Sequence, residues 1–316
     1  MGLIPFYTFT ISLFQIMYLR HKIVATNMLR ISHNCGFFSC CYVRLDEILK
    51  YYNLHKKLPS KVDSTDQFKD YKPGDHSENI VPYFFIEDQK YLDSIDILYT
   101  KPLQISSSHE EPQFSNYRLL NFDDMKPFLK KYFSLSNDVK NCITFLDNKY
   151  SISDINYSNI CAVFFRGNDK SKETNQPSYE EMIQKASSIL ANNPNIKFLV
   201  QTDEKEFLDA FLNYFPNNSF YFKEIPNAPK MYASMQHVLP AQYKIPCTQL
   251  FVAAIHIIAK CKYVIHTSGN CELWIALTRG HANGLYQYLS PIKHFWWNHQ
   301  LNPSYDPNKT NFWIES

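Results

Sequence analysis

The sequence predicts an α/β protein built in two parts, and three observations carry that expectation. From residue 160 onward, short apolar runs alternate with amphipathic stretches, the pattern of strands and helices wound about a parallel sheet. A polar segment, residues 147–159, reads as a link between this regular half and a less regular first half. At 316 residues and 45% hydrophobic content, the chain can build one large domain or two ordinary ones, each with a real core.

Taken in order, residues 1–20 are an apolar N-terminal extension or anchor. Leu3 to Leu19 are mostly apolar but broken by Pro5, Thr8, Thr10, Ser12 and Gln15, and Arg20-His21-Lys22 follow. Seventeen residues is the short limit for a membrane span. No basic stretch precedes it, so a cleaved leader is not expected, and Phe6 breaks the myristoylation pattern. The alternative is a loosely packed extension, with Met17 or Met28 as the true start. The expected location is cytoplasmic, or membrane-associated through residues 3–19.

The first part, residues 21–150, opens with a strand from Ile23 to Ile31 and a turn through His33-Asn34-Cys35-Gly36. A helix from about Phe38 to Tyr52 follows, with Tyr42, Leu45, Ile48 and Leu49 on one face. Short strands are expected at 59–63, 81–86 and 95–99, with polar loops at 63–79 and 101–113. Helices are expected over 122–133, where Asp123 and Asp124 suit the positive end of the dipole, and over 137–146.

The second part, residues 151–316, begins with the strand Ile160 to Phe165, apolar at every position and so buried on both faces. A charged loop, Arg166-Gly167-Asn168-Asp169-Lys170, leads to a helix whose Ser178-x-x-Glu181 forms a capping box. Strand 196–200 ends in Gln201-Thr202-Asp203. A helix with Phe207, Leu208, Phe211 and Phe215 inward, a strand at 220–225 and a long polar crossing follow. Helix 248–260 and strand 263–265 lead into His266-Thr267-Ser268-Gly269-Asn270, with a helix at 271–279 and a last strand at 285–288.

Bulk composition narrows the function. The net charge of +2 excludes a basic nucleic-acid binder. None of the eight cysteines forms a C-x-x-C pair and most sit in apolar runs, which suits buried reduced thiols better than disulfides or zinc. The chain has only seven glycines, and three of them, Gly36, Gly167 and Gly269, fall in polar loops at strand ends; such glycines answer to a positive φ or to close approach. Sequons at Asn156, Asn217 and Asn308 carry no weight in so Asn-rich a chain.

Loops that follow parallel strands open on one edge of a sheet, so those at 166–170, 202–203 and 267–270 can meet on one ligand. Arg166 supplies a planar fork for phosphate. Residues 266–270 precede a helix, whose N–H groups favour an anion, with Ser268 and Asn270 as side-chain donors. Asp203 can accept from a ribose hydroxyl or base edge, or can simply cap the next helix. Together they describe a nucleotide-diphosphate site with no Walker lysine loop, no G-x-G-x-x-G and no D-x-D.

Phe164-Phe165-Arg166-Gly167-Asn168-Asp169-Lys170 resembles the H-x-R-x-x-D-K motif of the α1,6-fucosyltransferase, nodulation fucosyltransferase and protein O-fucosyltransferase superfamily. Phe198 to Asp203 is similar to its second motif, and Tyr263 to Trp274 to its third; the resemblance spans roughly residues 160 to 290. It implies a GT-B-like fold, two Rossmann-like domains facing across a cleft, and inverting, metal-independent transfer from GDP-fucose to a glycan or other hydroxyl acceptor, with no cofactor. On that resemblance Arg166 neutralises the departing diphosphate, Asp203 contacts the guanosine, and Ser268, Gly269 and Asn270 hold phosphates. Asp169, Thr202 and Thr267 complete the donor site. Lys170 and Glu173 lie where some members keep a lysine and a catalytic glutamate; Glu173 can equally be a solvated loop carboxylate. His33, Asn34 and Gly36 are candidates from the facing domain. The chain departs from the motif at Phe164, in the place of its histidine, and at Gly167, where many members have a second arginine.

Overall fold

A computed structural model describes residues 28–74, 77–88, 99, 101–108, 110–230, 237, 239–289 and 312–315. The apolar stretch 3–19, the first five residues of the expected strand 23–31, and all but Tyr99 of that expected at 95–99 lie outside the described residues.

The first part contributes β1 (Met28–His33), α1 (Phe37–His55), β2 (Lys61–Gln67), β3 (Phe85–Ile86), α2 (Phe122–Tyr132), β4 (Ser134–Leu135) and α3 (Asn137–Tyr150). β1 and β2 pair in parallel, β3 and β4 antiparallel. β2 runs on past Val62 to Gln67, through residues expected as loop, because the buried positions of that continuation, Ser64 and Gln67, are polar. Arg44 of α1 donates to Ser64 Oγ at 2.7 Å and Gln67 donates to the Cys40 carbonyl at 3.2 Å. A buried arginine needs such partners, and no apolar alternation announces them.

Two other expected strands shrink. Residues Val81–Tyr83 form a 3₁₀ turn around Pro82, which has no N–H for a ladder, and only β3 remains of 81–86. Of 220–225 only β7 (Ser219–Phe220) is extended; Phe222 and Ile225 reach the core through a turn instead. The polar link is also structured. α3 continues to Tyr150, and α4 (Ile152–Ile155) buries Ile152 completely. Ser151 and Asn156 take positive φ (48° and 69°), reversing the chain on either side of α4.

The regular half comprises β5 (Ile160–Phe165), α5 (Tyr179–Asn192), β6 (Lys197–Thr202), α6 (Lys205–Tyr214), β7, α7 (Lys244–Lys260), β8 (Tyr263–His266), α8 (Asn270–Arg279), β9 (Leu285–Leu289) and β10 (Phe312–Ile314); apart from the shortened β7 and from β10, which lies beyond the last expected strand, these follow the periodicity. Its sheet has the order β10-β9-β8-β5-β6-β7, parallel except for β10. Central β5 is buried at all six positions. Ile160, Ala162 and Phe164 pack on the face covered by α7 and α8; Cys161, Val163 and Phe165 pack on the face covered by α5 and α6. Each large apolar side chain so buried contributes roughly 1.5–3 kcal/mol. The first of these faces shares its core with α1, α2 and α3: Phe38 and Phe133 lie 5.9 and 4.8 Å from the Trp274 ring.

The chain passes outward from β5 through β6 to β7, then returns to the other side of β5 as β8. The strand order therefore reverses between β5 and β8, and such a reversal opens a crevice at the carboxyl ends of the strands.

Candidate active site

That crevice is a cleft enclosing about 190 Å³. One wall is the start of α1, from Cys35 to Ser39, with Tyr71; the other holds Arg166, Asp169, Lys170, Glu173, Thr202, Asp203 and Asn270. The loops after β5, β6 and β8 thus converge, as their shared polarity requires. The first turns of α1 and α8 both meet the cleft, so two helix dipoles present their positive ends to it.

Arg166 is the hub. Its Nε donates to Asp203 Oδ2 and its Nη2 to Asp169 Oδ1, both at 2.8 Å, and Nη1 reaches Cys271 Sγ at 3.1 Å. Burial opposes the guanidinium's charge, but Asp169 and Asp203 outweigh it and hold the pKa well above its ordinary value. Asp169 answers in kind: burial pushes its carboxyl up, and Arg166 with Lys170 pulls it below the ordinary carboxylate range. This is no solvated surface turn, since the Arg166 side chain is 17% exposed and that of Lys170 11%.

Asp203 does not cap α6, whose N-cap is Glu204 with no side-chain cap. Its second oxygen accepts from Gly167 N at 3.1 Å, and its carbonyl accepts from Asn168 Nδ2 at 2.8 Å, so β6 and the β5 loop are stitched together. Lys170 donates to Glu173 Oε2 at 2.6 Å, and its ammonium stands 5.7 Å over the Phe114 ring. Burial lowers the Lys170 pKa, Glu173 raises it, and the net direction is upward.

Gly167 and Gly269 are required by close approach to side chains; neither lies in the left-handed region. A Cβ on Gly167 would lie 2.0 Å from Glu204 Oε2, and one on Gly269 would lie 2.7 Å from Glu272 Oε2. Both glutamates are buried, and burial raises their pKa values. Lys230 reaches Glu204 at 3.5 Å, and Thr267 donates to Glu272 at 2.8 Å. Gly36 differs: a Cβ there meets open space.

Several expected residues sit behind the cleft wall. Ser268 donates to the Tyr288 carbonyl and accepts from Gln287; Thr267 is taken by Glu272. Gly269 exchanges two hydrogen bonds with the Tyr117 hydroxyl. His33 pairs with Ser39, and Asn34 with the Asp66 carbonyl and Lys69 N–H; neither lines the cleft, while Gly36 does.

The residues that sequence reasoning missed are mostly amides. Gln201, Gln113 and Cys271 line the cleft. Gln201, Phe164, His266 and Gln287 stand side by side in register across four strands, a polar row interrupted by Phe164. His266 is fully buried and stacked on Tyr117 at 5.5 Å. Burial holds its pKa down to about 4, so the ring is neutral and its Nδ1–H donates to the Thr267 carbonyl at 2.6 Å. Glutamine in a strand reads as ordinary exposed alternation, which is why this row carried no signal. Among the described residues no cluster of His, Cys, Asp and Glu could hold a metal ion, and no helix is long and apolar enough to cross a membrane.

A doubly wound sheet with a charged cleft at its strand-order reversal is the arrangement in which open α/β proteins hold their ligands. No family profile and no curated protein sequence matches the chain. Its fold is fucosyltransferase-like. The chain is similar to NodZ α-1,6-fucosyltransferase co-crystallised with GDP, at 16% identity and a TM-score of 0.51, covering 84% of this chain and 96% of that one. It is similar also to NodZ α-1,6-fucosyltransferase soaked with GDP-fucose, at 13% identity and a TM-score of 0.51, covering 83% and 94%. At these identities the likeness is one of fold.

Proposed function

We propose that the protein is a fucosyltransferase-like glycosyltransferase, inverting and metal-independent, that moves a sugar from a GDP-sugar, GDP-fucose favoured, to a glycan or other hydroxyl acceptor. The observation that carries this reading is Arg166: a guanidinium held charged at the carboxyl end of β5, within the cleft, in a fold shared with proteins solved with GDP and GDP-fucose. In the reaction the sugar C–O bond to the β-phosphate breaks and its electron pair leaves on the diphosphate. Arg166, aided by the α8 dipole, neutralises that growing charge. Glu173 takes the proton of the attacking hydroxyl, with Lys170 orienting the carboxylate through their 2.6 Å contact. Asp203 and Thr202 belong to the nucleoside end, and the first turn of α8, which meets the cleft at Asn270 and Cys271, to the phosphate end, with Thr267, Ser268 and Gly269 shaping it from behind. In this reading residues 21–150 are the acceptor-side domain and 151–316 the donor domain of a GT-B pair, with residues 3–19 as a membrane contact.

The test is a thermal-shift panel of GDP, UDP, CMP, ADP and their common sugar conjugates, with and without EDTA, on wild type and Arg166→Ala. Ligands of the native state raise its melting temperature by mass action. A shift with GDP or GDP-fucose that survives EDTA and is lost in the variant is the expected result. A shift with another nucleotide reassigns the donor, and no shift with any of them removes the reading.

Phe164, buried in the cleft where the family motif has histidine, favours a second reading: a nucleotide- or glycan-binding protein without catalysis. Release of fucose from GDP-fucose by the wild type, absent in Arg166→Ala, separates the two in favour of the enzyme.

A further inference from the structure

Glu111, Gln113 and Asn270 stand in file against the cleft. Gln113 Nε2 donates to Glu111 Oε1 at 2.6 Å, and Asn270 Nδ2 donates to Gln113 Oε1 at 2.9 Å. Gln113 and Asn270 are both more than nine-tenths buried, and both line the cleft. The file is anchored at Tyr117, whose single hydroxyl hydrogen is shared between the Gly269 and Gln113 carbonyls at 3.0 and 3.1 Å.

A carboxylate only accepts hydrogen bonds, so Glu111 dictates which end of the Gln113 amide faces it. The Gln113 carbonyl is thereby turned on Asn270, and it dictates the Asn270 amide in the same way. What remains is Asn270 Oδ1, a largely buried acceptor with no hydrogen-bond partner, on a side chain that lines the cleft. Gln201 Oε1, on the same cleft, is in the same condition. Buried acceptors are costly unless something donates to them.

We propose that Glu111 and Gln113 are positioning residues that set the hydrogen-bond polarity of the cleft wall, so that Asn270 Oδ1 accepts from an O–H or N–H of the bound nucleotide sugar. This rests on the nucleotide-sugar reading and deepens it. It changes the part expected of Asn270 from a donor to phosphate into an acceptor that reads a hydroxyl or amide hydrogen. A phosphate oxygen has nothing to offer that atom; a sugar hydroxyl, a ribose hydroxyl or a base N–H does.

The experiment is calorimetric titration of GDP and of GDP-fucose, without added metal, into wild type, Arg166→Ala, Glu111→Gln, and the exchanged pair Glu111→Gln with Gln113→Glu, each checked for an unchanged melting temperature. Glu111→Gln removes the group that dictates the sense of the file, and affinity should fall about 3- to 10-fold, the worth of one hydrogen bond. In the exchanged pair the amide introduced at position 111 donates to the carboxylate introduced at 113, which still accepts from Asn270 Nδ2. The sense is restored, and affinity should return to within about twofold of wild type. A loss seen with both ligands assigns the contact to the nucleoside, and a loss seen with GDP-fucose alone assigns it to the sugar. Binding that depends on Arg166 but ignores Glu111→Gln, or a loss that the exchange does not rescue, overturns the relay and leaves the function standing. No binding to wild type overturns both.

Discussion

At the scale of single residues, two buried groups make direct predictions. Gly167 stands against the Glu204 carboxylate, and Glu204 cannot swing away because it is 0% exposed. Gly167→Ala should cost about 1–3 kcal/mol, the usual toll of overpacking, with part recovered by a second Glu204→Ala change. Urea midpoints decide it, and an unchanged midpoint in the single variant counts against the contact. His266, held down to about 4 by burial, gives the second. The unfolded chain binds this proton near its ordinary value, so between pH 6.5 and 4 the unfolded state is the more protonated and stability falls as pH falls. From pH 6.5 to 5 the loss from this one group is roughly 1.5–2 kcal/mol. Urea unfolding of wild type and His266→Gln across that range should show the variant's profile flattened by that amount.

Residue-scale legibility was uneven for a physical reason. Arg166, Asp203 and the β5 loop stood out because charge at the end of an apolar strand is conspicuous. Glu204 and Glu272 did not, because a glutamate near a helix start reads as a solvated dipole partner. Only Gly167 and Gly269 hinted at them, and scarce glycine tells that space is needed without telling by what. Gln113 lay in a stretch with no periodicity, and its part depends on a partner 157 residues away.

At the scale of elements, sequence and structure agree where a period was present. β5, β6, β8 and α5 to α8 follow their apolar patterns closely, and the capping box at α5 forms as spelled, with Glu181 N donating to Ser178 Oγ at 3.1 Å and Ser178 N to Glu181 Oε2 at 2.7 Å. Ser178→Ala should therefore cost about 1 kcal/mol in the same urea assay. Disagreement collects in the first half, where β2 hides polar side chains and Pro82 cuts an apolar run short. An apolar template follows β2 through Val62 and cannot see its continuation, whose inner positions are Ser64 and Gln67.

At the scale of the molecule, the decisive fact is that one core crosses the chain's midpoint. Trp274 of α8, 2% exposed, packs against Phe38 of α1 and Phe133, so the site's third loop is seated on residues from the first part. Trp274→Ala should cost about 3–5 kcal/mol and weaken nucleotide binding with it. Calorimetric unfolding should show one transition in wild type and variant alike; two separated transitions would contradict a shared core. The reversal of strand order was legible only in part. Alternating elements announce a parallel sheet, but whether β8 joins beside β5 or beyond β7 is decided by packing that no local pattern records.

The hydrogen bonds joining residues 113–117 to 269–287 carry a consequence for the order of events in folding. They span 152 to 172 positions of sequence: Tyr117 to Gly269, Asn270 to Gln113, and Gln287 to both Tyr117 and Ser115. Closing so long a loop returns no contacts until both of its ends are already shaped, so it belongs late on the pathway. On a ribosome it waits until β9 has emerged. The cleft is thus the last thing the chain makes, and competence to bind should lag behind the recovery of helix in a refolding experiment.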